Sequence, residues 1–439
     1  MNVAAQLEAL MPTALCGSVA QTVGMTIAAA GFPAPVGALA EIQRDHGPPL
    51  PAEVIGFRDE LTLLYALNEV AGIRHGSRVR LARTARWLRV GPEMLGRVLD
   101  ANGQAVDGRP APVLNDRTTY QRRPPHPCQR PRISQPLATG VRAMDGLLTC
   151  GRGQRMGIFA GSGVGKSVLL GMMARYTAAD VNVIALIGER GREVNEFIQR
   201  DLGPEGLARS VVVVATSNEP ALLRVQAAAT ATAIAEYFRD QGRDVLLMMD
   251  SLTRFALAQR EIGLAAGEPP TTRGFPPSVF ALLPRLVERA GRGPNGSITA
   301  FYSVLVEADD PNEPISDAVR GLLDGHTWLS RRLAARGHYP AIDVLESLSR
   351  LMPDVADAAH RQAAAAMREL LSVYREHEDL ISIGAYRRGS NKLVDAAMDQ
   401  LPEITRFLRQ EVGQPSRLDE TRAALVAWHE SYRKRTASE

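Results

Sequence analysis

Gly161, Gly163 and Gly165, followed by Lys166 and Ser167, are of the types and at the spacing that phosphate chemistry needs. They sit in GIFAGSGVGKSVLLGMMARY, residues 157–176, where an apolar run ends, glycines alternate, and an apolar helical pattern begins. Backbone N–H groups in such a loop point inward at phosphate oxygens, and the positive end of the next helix adds to the attraction. The expected cradle is Gly161, Ser162, Gly163, Val164, Gly165, Lys166, Ser167 and Val168. Lys166 would reach the β- and γ-phosphates, and the Ser167 hydroxyl would bind Mg²⁺. Ala160 stands where the strict pattern wants its first glycine, a position that needs little bulk. The loop is read as nucleotide-binding.

A metal site there needs an acidic partner at the end of another buried strand. DVLLMMD ends in Asp250, placed as a second Mg²⁺ holder would be, although strands also end in Asp as a cap or turn former. Hydrolysis further needs a group that orients water. IALIGERGREV puts Glu189 and Arg190 directly after an apolar run, where strand ends face a nucleotide crevice. Glu189 could accept a hydrogen bond from water, and Arg190 could hold charge near the γ-phosphate. An isolated Gly-Glu-Arg would read as an exposed pair in a turn.

These residues need a frame to hold them. RMGIFA, NVIALI, SVVVVA and DVLLMMD are continuous apolar runs, as in strands covered on both faces. Helical patterns follow Gly165, follow Arg192 and run from Glu219 to Asp240, so the alternation predicts a parallel α/β sheet. Before it, residues 1–88 carry short β-type runs (EVIGF, LTLLYAL, SRVRLA) between Gly, Pro and Asp, which predicts a small β-barrel. GRVLDANGQAV predicts a hairpin with a two-residue Asn102-Gly103 turn. RRPPHPCQRPRISQP reads as an extended surface connector. From about Pro353 the strands stop and helical spacing takes over. The expected domains are a barrel at 1–88, a nucleotide-binding P-loop core at 89–352 and a helical region at 353–439.

Composition is consistent with that frame. With 439 residues, 45% hydrophobic and 23% charged, the chain is sized for two or three globular domains. A net charge of +3 does not argue for nucleic acid or an anionic membrane. The three cysteines, Cys16, Cys128 and Cys150, are far apart and without metal-ligand spacing, which suits free thiols in a reducing cytosol. MNVAAQLEALMP lacks the basic start of a signal peptide, and no stretch is long and apolar enough to span a bilayer. A peripheral membrane contact stays open.

AGSGVGKS, GERGREV, LLMMDSLTRFALAQREIGLAAGEPPTTRGFPPSVFALLPRLVERAG and GHYPAIDVLESLSR together resemble the ATPases of type III export, flagellar or injectisome, which are relatives of the rotary F/V-type catalytic subunit. The resemblance covers nearly the whole chain. It implies a RecA-like P-loop domain between an N-terminal β-barrel and a C-terminal helical domain, with ATP and Mg²⁺ as ligands. It implies Glu189 as general base, Lys166 and Ser167 as Walker-A lysine and metal ligand, Asp250 as Walker B, and Arg190 beside the base. Arg350, in Ser-Leu-Ser-Arg, matches the arginine that relatives insert into a neighbouring subunit's site; a structural salt-bridge arginine is the alternative. Tyr339, in GHYPAID, matches an aromatic that packs on adenine; a half-buried tyrosine before proline is the alternative. RQEVGQP offers no aromatic match, and no residue there is assigned.

The implied partners are a homohexamer, a central-stalk coiled coil, a peripheral stator, an export gate and chaperone–substrate complexes, with the chain cytoplasmic and docked at the membrane apparatus. ISIGAYRRGSNKL would face the stalk or be a solvated loop. A subunit of a rotary F/V-type ATPase is the nearest alternative; non-catalytic subunits lack the carboxylate found at Glu189. An RNA translocase would need a stacking platform, whereas Phe32, Phe57, Tyr65 and Trp87 are scattered. GSITAFYSVLVEADDPNEPISD fits flagellar and injectisome forms alike.

Overall fold

Arg78–Arg83 alternates exposed Arg78 and Arg80 with buried Val79 and Leu81, the period of a strand with one dry face. Leu39–Ile42 and most of Leu50–Arg58 do the same, and with three further strands they close into a six-stranded barrel. They are β1 (Cys16–Val23), β2 (Thr26–Ala30), β3 (Leu39–Ile42), β4 (Leu50–Arg58), β5 (Leu61–Ala66) and β6 (Arg78–Arg83), ordered β1-β2-β5-β4-β3-β6. Ile27, Phe32, Ile42, Leu50 and Leu64 fill its centre. In this computed structural model residues 15–306, 310 and 313–437 are described. The MNVAAQLEALMP stretch and part of EADDPNEP lie outside them.

The predicted parallel sheet is present and is larger than the four apolar runs indicated. It has nine strands. Eight form a path: β7 (Arg97–Leu99), β8 (Arg155–Ala160), β9 (Val181–Ile187), β10 (Ser210–Ala215), β11 (Asp244–Asp250), β12 (Ser297–Leu305), β13 (Gly325–Leu329) and β14 (Ile342–Ser349). Their order is β14-β13-β8-β12-β11-β9-β10-β7, with β14 antiparallel at one edge. The ninth, Gly291–Arg292, pairs with β12. Consecutive β8 and β9 are thus separated by β12 and β11, and the split leaves a crevice at the strands' carboxyl ends, where such folds bind ligands.

Helices cover both faces. On one side α3 (Ala221–Asp240), α4 (Leu252–Ala266) and α5 (Pro277–Val287) bury Ile234, Phe255 and Leu283. On the other, α1 (Lys166–Tyr176) and the carboxyl-terminal helices α6 (Ala358–Ser382), α7 (Lys392–Leu408) and α8 (Leu418–Ala437) bury Leu170, Met173, Met367 and Ile404. Asp357 and Asn391 cap α6 and α7 by accepting from His360 N at 3.0 Å and Leu393 N at 2.9 Å. The barrel joins the core through Tyr65, whose hydroxyl donates to Glu261 at 2.9 Å, and through Leu67, Leu222 and Ile262. Among the described residues the three cysteines are free, and no helix is long and apolar enough to cross a membrane.

One local expectation needs correction, and another gains a detail. The Asn102-Gly103 turn is a three-residue loop: Asp100 N donates to Gln104 O at 2.8 Å and Gly103 takes a left-handed φ of 79°. The Asp100 carboxylate accepts from Asn102 N and Gln104 N, which draws the extra residue into the turn. The proline-rich connector is extended and mostly exposed, as expected, and is anchored at Arg130, which donates to the carbonyls of Glu288 and Ala290.

One buried ion pair locks α3 to the end of α5. Arg289, 5% exposed, donates to both oxygens of Glu236 at 3.0 and 2.8 Å and to Tyr120 O at 2.8 Å. Removing one partner strands a buried charge, so Arg289→Met is expected to destabilise the fold by about 3 kcal/mol. The double change Glu236→Leu with Arg289→Met should recover most of that in denaturant titration. A single variant as stable as the parent would contradict this.

Candidate nucleotide site

The loop after β8 folds as it does because of where its glycines fall. Ala160 is the last residue of a strand and 1% exposed, so the substitution of the expected glycine sits in extended backbone that takes a side chain without strain. Gly163 and Gly165 are the positions that cannot be replaced freely, with φ of 79° and 90°. Val164, 2% exposed, pins the loop to the core. Gly165 begins α1 without any side-chain cap, leaving the first-turn N–H groups to whatever lies in front of them.

Lys166 turns back across the sheet ends. Its ammonium hydrogen-bonds the Asp250 carboxylate and lies 3.8 Å from Glu189 Oε1. Ser303, on the strand between β8 and β11, donates to the same Asp250 oxygen at 2.5 Å. Asp250 is 4% exposed, at the end of β11, and Glu189 stands two residues past β9. Ser167 is exposed on the first turn of α1. The sheet therefore brings Lys166, Glu189 and Asp250 together, with Ser167 beside Lys166 in the loop.

Glu189 Oε1 is buried and without a hydrogen-bond partner. Burial chiefly, and then the Asp250 charge, push the Glu189 carboxyl up to about 7, against the pull of Lys166 and Arg254. Arg254 was not legible in the sequence. It lies one turn into α4, and a side chain at Gly188 would come within 2.9 Å of it, so the positive φ of Gly188 lets the two segments close together. An arginine four residues after the strand-end aspartate was the available signal.

Two predicted residues stand elsewhere. Arg190, expected near the γ-phosphate, is 82% exposed and pairs at 3.8 Å with Glu193, because it begins helix α2 (Gly191–Glu196) and points off the sheet. Arg350 follows β14 and donates its N–H to Asp324 O, level with the start of β8. It is thus five residue steps, roughly 17 Å at about 3.3 Å each, from the phosphate-loop end of the sheet. Its exposed guanidinium makes no hydrogen bond or ion pair among the described residues.

On the far side of Gly165 opens a cleft of about 880 Å³, lined by Val168, Tyr339, Arg409, Gln410 and Gln414 among others. The Tyr339 ring is within 3.6 Å of where a Gly165 side chain would begin. The RQEVGQP stretch, left unassigned above, thus forms one wall of this cleft. Its contribution is the Val412 side chain and several polar groups, with no aromatic.

Residues 140–349 match the family described as ATP synthase alpha/beta family, nucleotide-binding domain, and residues 356–427 the T3SS EscN ATPase C-terminal domain. The chain is 53% identical over 413 residues to a flagellum-specific ATP synthase of Bacillus subtilis, covering 94% of each. It is 53% identical over 412 residues to a type 3 secretion system ATPase of Xanthomonas euvesicatoria, covering 94% of this chain and 93% of that one. A solved structure of the assembled ATPase EscN with its central stalk EscO, from enteropathogenic E. coli, superposes with a TM-score of 0.87 at 46% identity. That match covers 94% of this chain and 99% of the other.

The raised Glu189 carboxyl fixes an expected pH profile. Below about 7 it is protonated and cannot take a proton, so the basic form gains as pH rises. Log kcat/KM for nucleotide hydrolysis, which reports the free enzyme, should climb with unit slope to about pH 7 and then level. A profile flat down to about pH 5 would contradict the assignment.

Proposed function

The chain belongs to the family of flagellum-specific and type III secretion ATPases, enzymes that hydrolyse ATP in protein export, and we propose how its residues divide that work. The observation that carries the reading is the half-buried Glu189 carboxylate, its Oε1 covered, beside Lys166 and Asp250 at the crevice end of the sheet. Water attacks the γ-phosphate in line with the bond to ADP. Glu189 orients that water and takes its proton at the unpartnered Oε1. Lys166 holds the β- and γ-oxygens, giving up Asp250 for them, and the loop N–H groups hold the rest. Gly161, Ser162, Gly163, Val164, Gly165 and Val168 shape this cradle, and Tyr339 faces the base.

Mg²⁺ fits the residues present: an exposed Ser167 hydroxyl and the Asp250 carboxylate supply two oxygens, as this ion takes beside phosphate and water. Bound there it neutralises phosphate charge. Arg190, in solvent beside Glu193, is given no part at the γ-phosphate.

Arg350 cannot serve its own chain's site across the sheet, and its free guanidinium supports its use by a neighbour. The proposed assembly is a homohexamer with sites between protomers, in keeping with the assembled EscN relative. A coiled-coil stalk, in the place of the central stalk EscO of that relative, is proposed for the ISIGAYRRGSNKL end, where Leu380 and Ile383 are exposed. The proposed division of labour is barrel 1–88 for ring assembly, 89–352 for ATP, and 353–439 for the stalk. A stator, an export gate and chaperone–substrate complexes complete the proposed setting at the cytoplasmic face of the membrane. The work proposed is releasing and unfolding export substrates.

Glu189→Gln should keep ATP binding within about twofold and lose at least about a hundredfold in turnover. Near-normal turnover would remove Glu189 from the base role. Mixing inactive Lys166→Ala and Arg350→Ala chains one to one should restore up to about a quarter of parental activity, the chance that an intact loop meets an intact arginine in a random ring. No recovery would place Arg350 in a structural role.

A further inference from the structure

Residues 409–417, between α7 and α8, have no helix or strand of their own, yet they form a wall of the cleft next to Tyr339. Something other than a backbone ladder must hold them. The side chain of Gln410, 6% exposed, makes the connections. Its Oε1 accepts from Arg142 N at 2.7 Å. Its Nε2 donates to Gly140 O at 2.8 Å and to Gln414 O at 2.7 Å. Its own backbone N–H donates to Tyr339 O at 3.0 Å. Both amide hydrogens and the amide oxygen are used. One residue therefore ties the start of the core, the tyrosine and the wall into a single piece.

The other end of the wall is held from the phosphate-loop helix. Arg175 Nη2 and Tyr176 OH, at the end of α1, donate to Val412 O at 3.1 and 2.9 Å. The wall is thus referred to both ends of the loop helix: to Gly165 through Tyr339, and to Tyr176 through Val412. A buried amide with every group satisfied fixes one geometry, because any shift leaves a polar group unpaired in a dry place. Gln410 itself is 6% exposed, and among the described residues none of its hydrogen bonds goes to the phosphate loop. What it controls is the spacing between Tyr339 and the strip facing it.

We propose that Gln410 is the positioning residue for the base half of ATP: it sets the width of the slot between Tyr339 and residues 409–414, and leaves triphosphate binding alone. The inference rests on the reading above that Tyr339 faces the base. It separates the two halves of the ligand, since Lys166 and the glycine loop act on phosphate while Gln410 acts only where a base is present.

The test is binding of ATP and of inorganic tripolyphosphate to the full chain, with steady-state kinetics alongside. Gln410→Ala should weaken ATP about tenfold while tripolyphosphate changes less than about twofold, with KM rising and kcat moving far less. Gln410→Glu keeps the acceptor for Arg142 but loses both donated bonds; it should show the same selective loss, and it serves if the alanine variant fails to fold. Lys166→Ala should weaken both ligands, and Tyr339→Ala only ATP. If Tyr339→Ala is selective but neither Gln410 variant is, because ATP binds normally or both ligands weaken together, Gln410 has no such role. If Tyr339→Ala does not separate the ligands, the base-side reading falls and takes this proposal with it.

Discussion

Two carboxylates, the buried Asp250 and the half-buried Glu189, share one ammonium, and much of the structure follows from that arrangement. Like charges placed close together in a dry crevice repel, so one of them must be neutralised or protonated. Lys166 takes Asp250 as its direct partner, and Glu189, more distant, is left with a free oxygen and a carboxyl raised chiefly by burial and then by the Asp250 charge. The distance between the two therefore assigns two different roles to two similar groups. It depends on the strand order: β12 and β11 lie between β8 and β9, so a lysine just past β8 must cross Ser303 of β12 to reach Asp250. A ligand with negative oxygens can take the ammonium from Asp250, because the exchange replaces one anion by another.

The same sheet is the reason Arg350 is proposed to act in a neighbouring chain's site. Parallel strands put the loop, Asp250 and Glu189 at one end. The antiparallel edge strand β14 runs the other way and delivers Arg350 to the opposite end. An exposed arginine at a sheet edge, unpaired among the described residues, is available to a neighbouring molecule. The base side of the cleft adds a second long-range dependence, because its wall comes from a strip more than two hundred residues away in sequence from the loop.

The sequence made the phosphate end legible because its signals are local. Glycine spacing, a continuous apolar run and a polar residue at its end can be read within ten residues, and Asp250 and Glu189 indeed lie at strand ends. The α/β class and the barrel followed from the same kind of pattern. Strands β12 to β14 were not read as strands, because polar residues interrupt them. Ser297, Thr299 and Ser303 of β12 are buried and satisfied by Asp244, Gly153 and Asp250, partners that no local pattern reveals. Gln410 was invisible for the same reason: an amide in RQEVGQP gives no hint that its acceptors and donors lie near residue 140. Arg190 misled because sequence adjacency to Glu189 says nothing of direction, and the start of a helix turned it outward.

The central claim is that the catalytic site is completed between chains. Its most direct test is the specific rate of ATP hydrolysis measured across a wide range of protein concentration. The account predicts a rate per chain that is low in dilute solution, rises as rings form and then reaches a plateau. A rate per chain already at its plateau under conditions where sizing shows only monomers would contradict it.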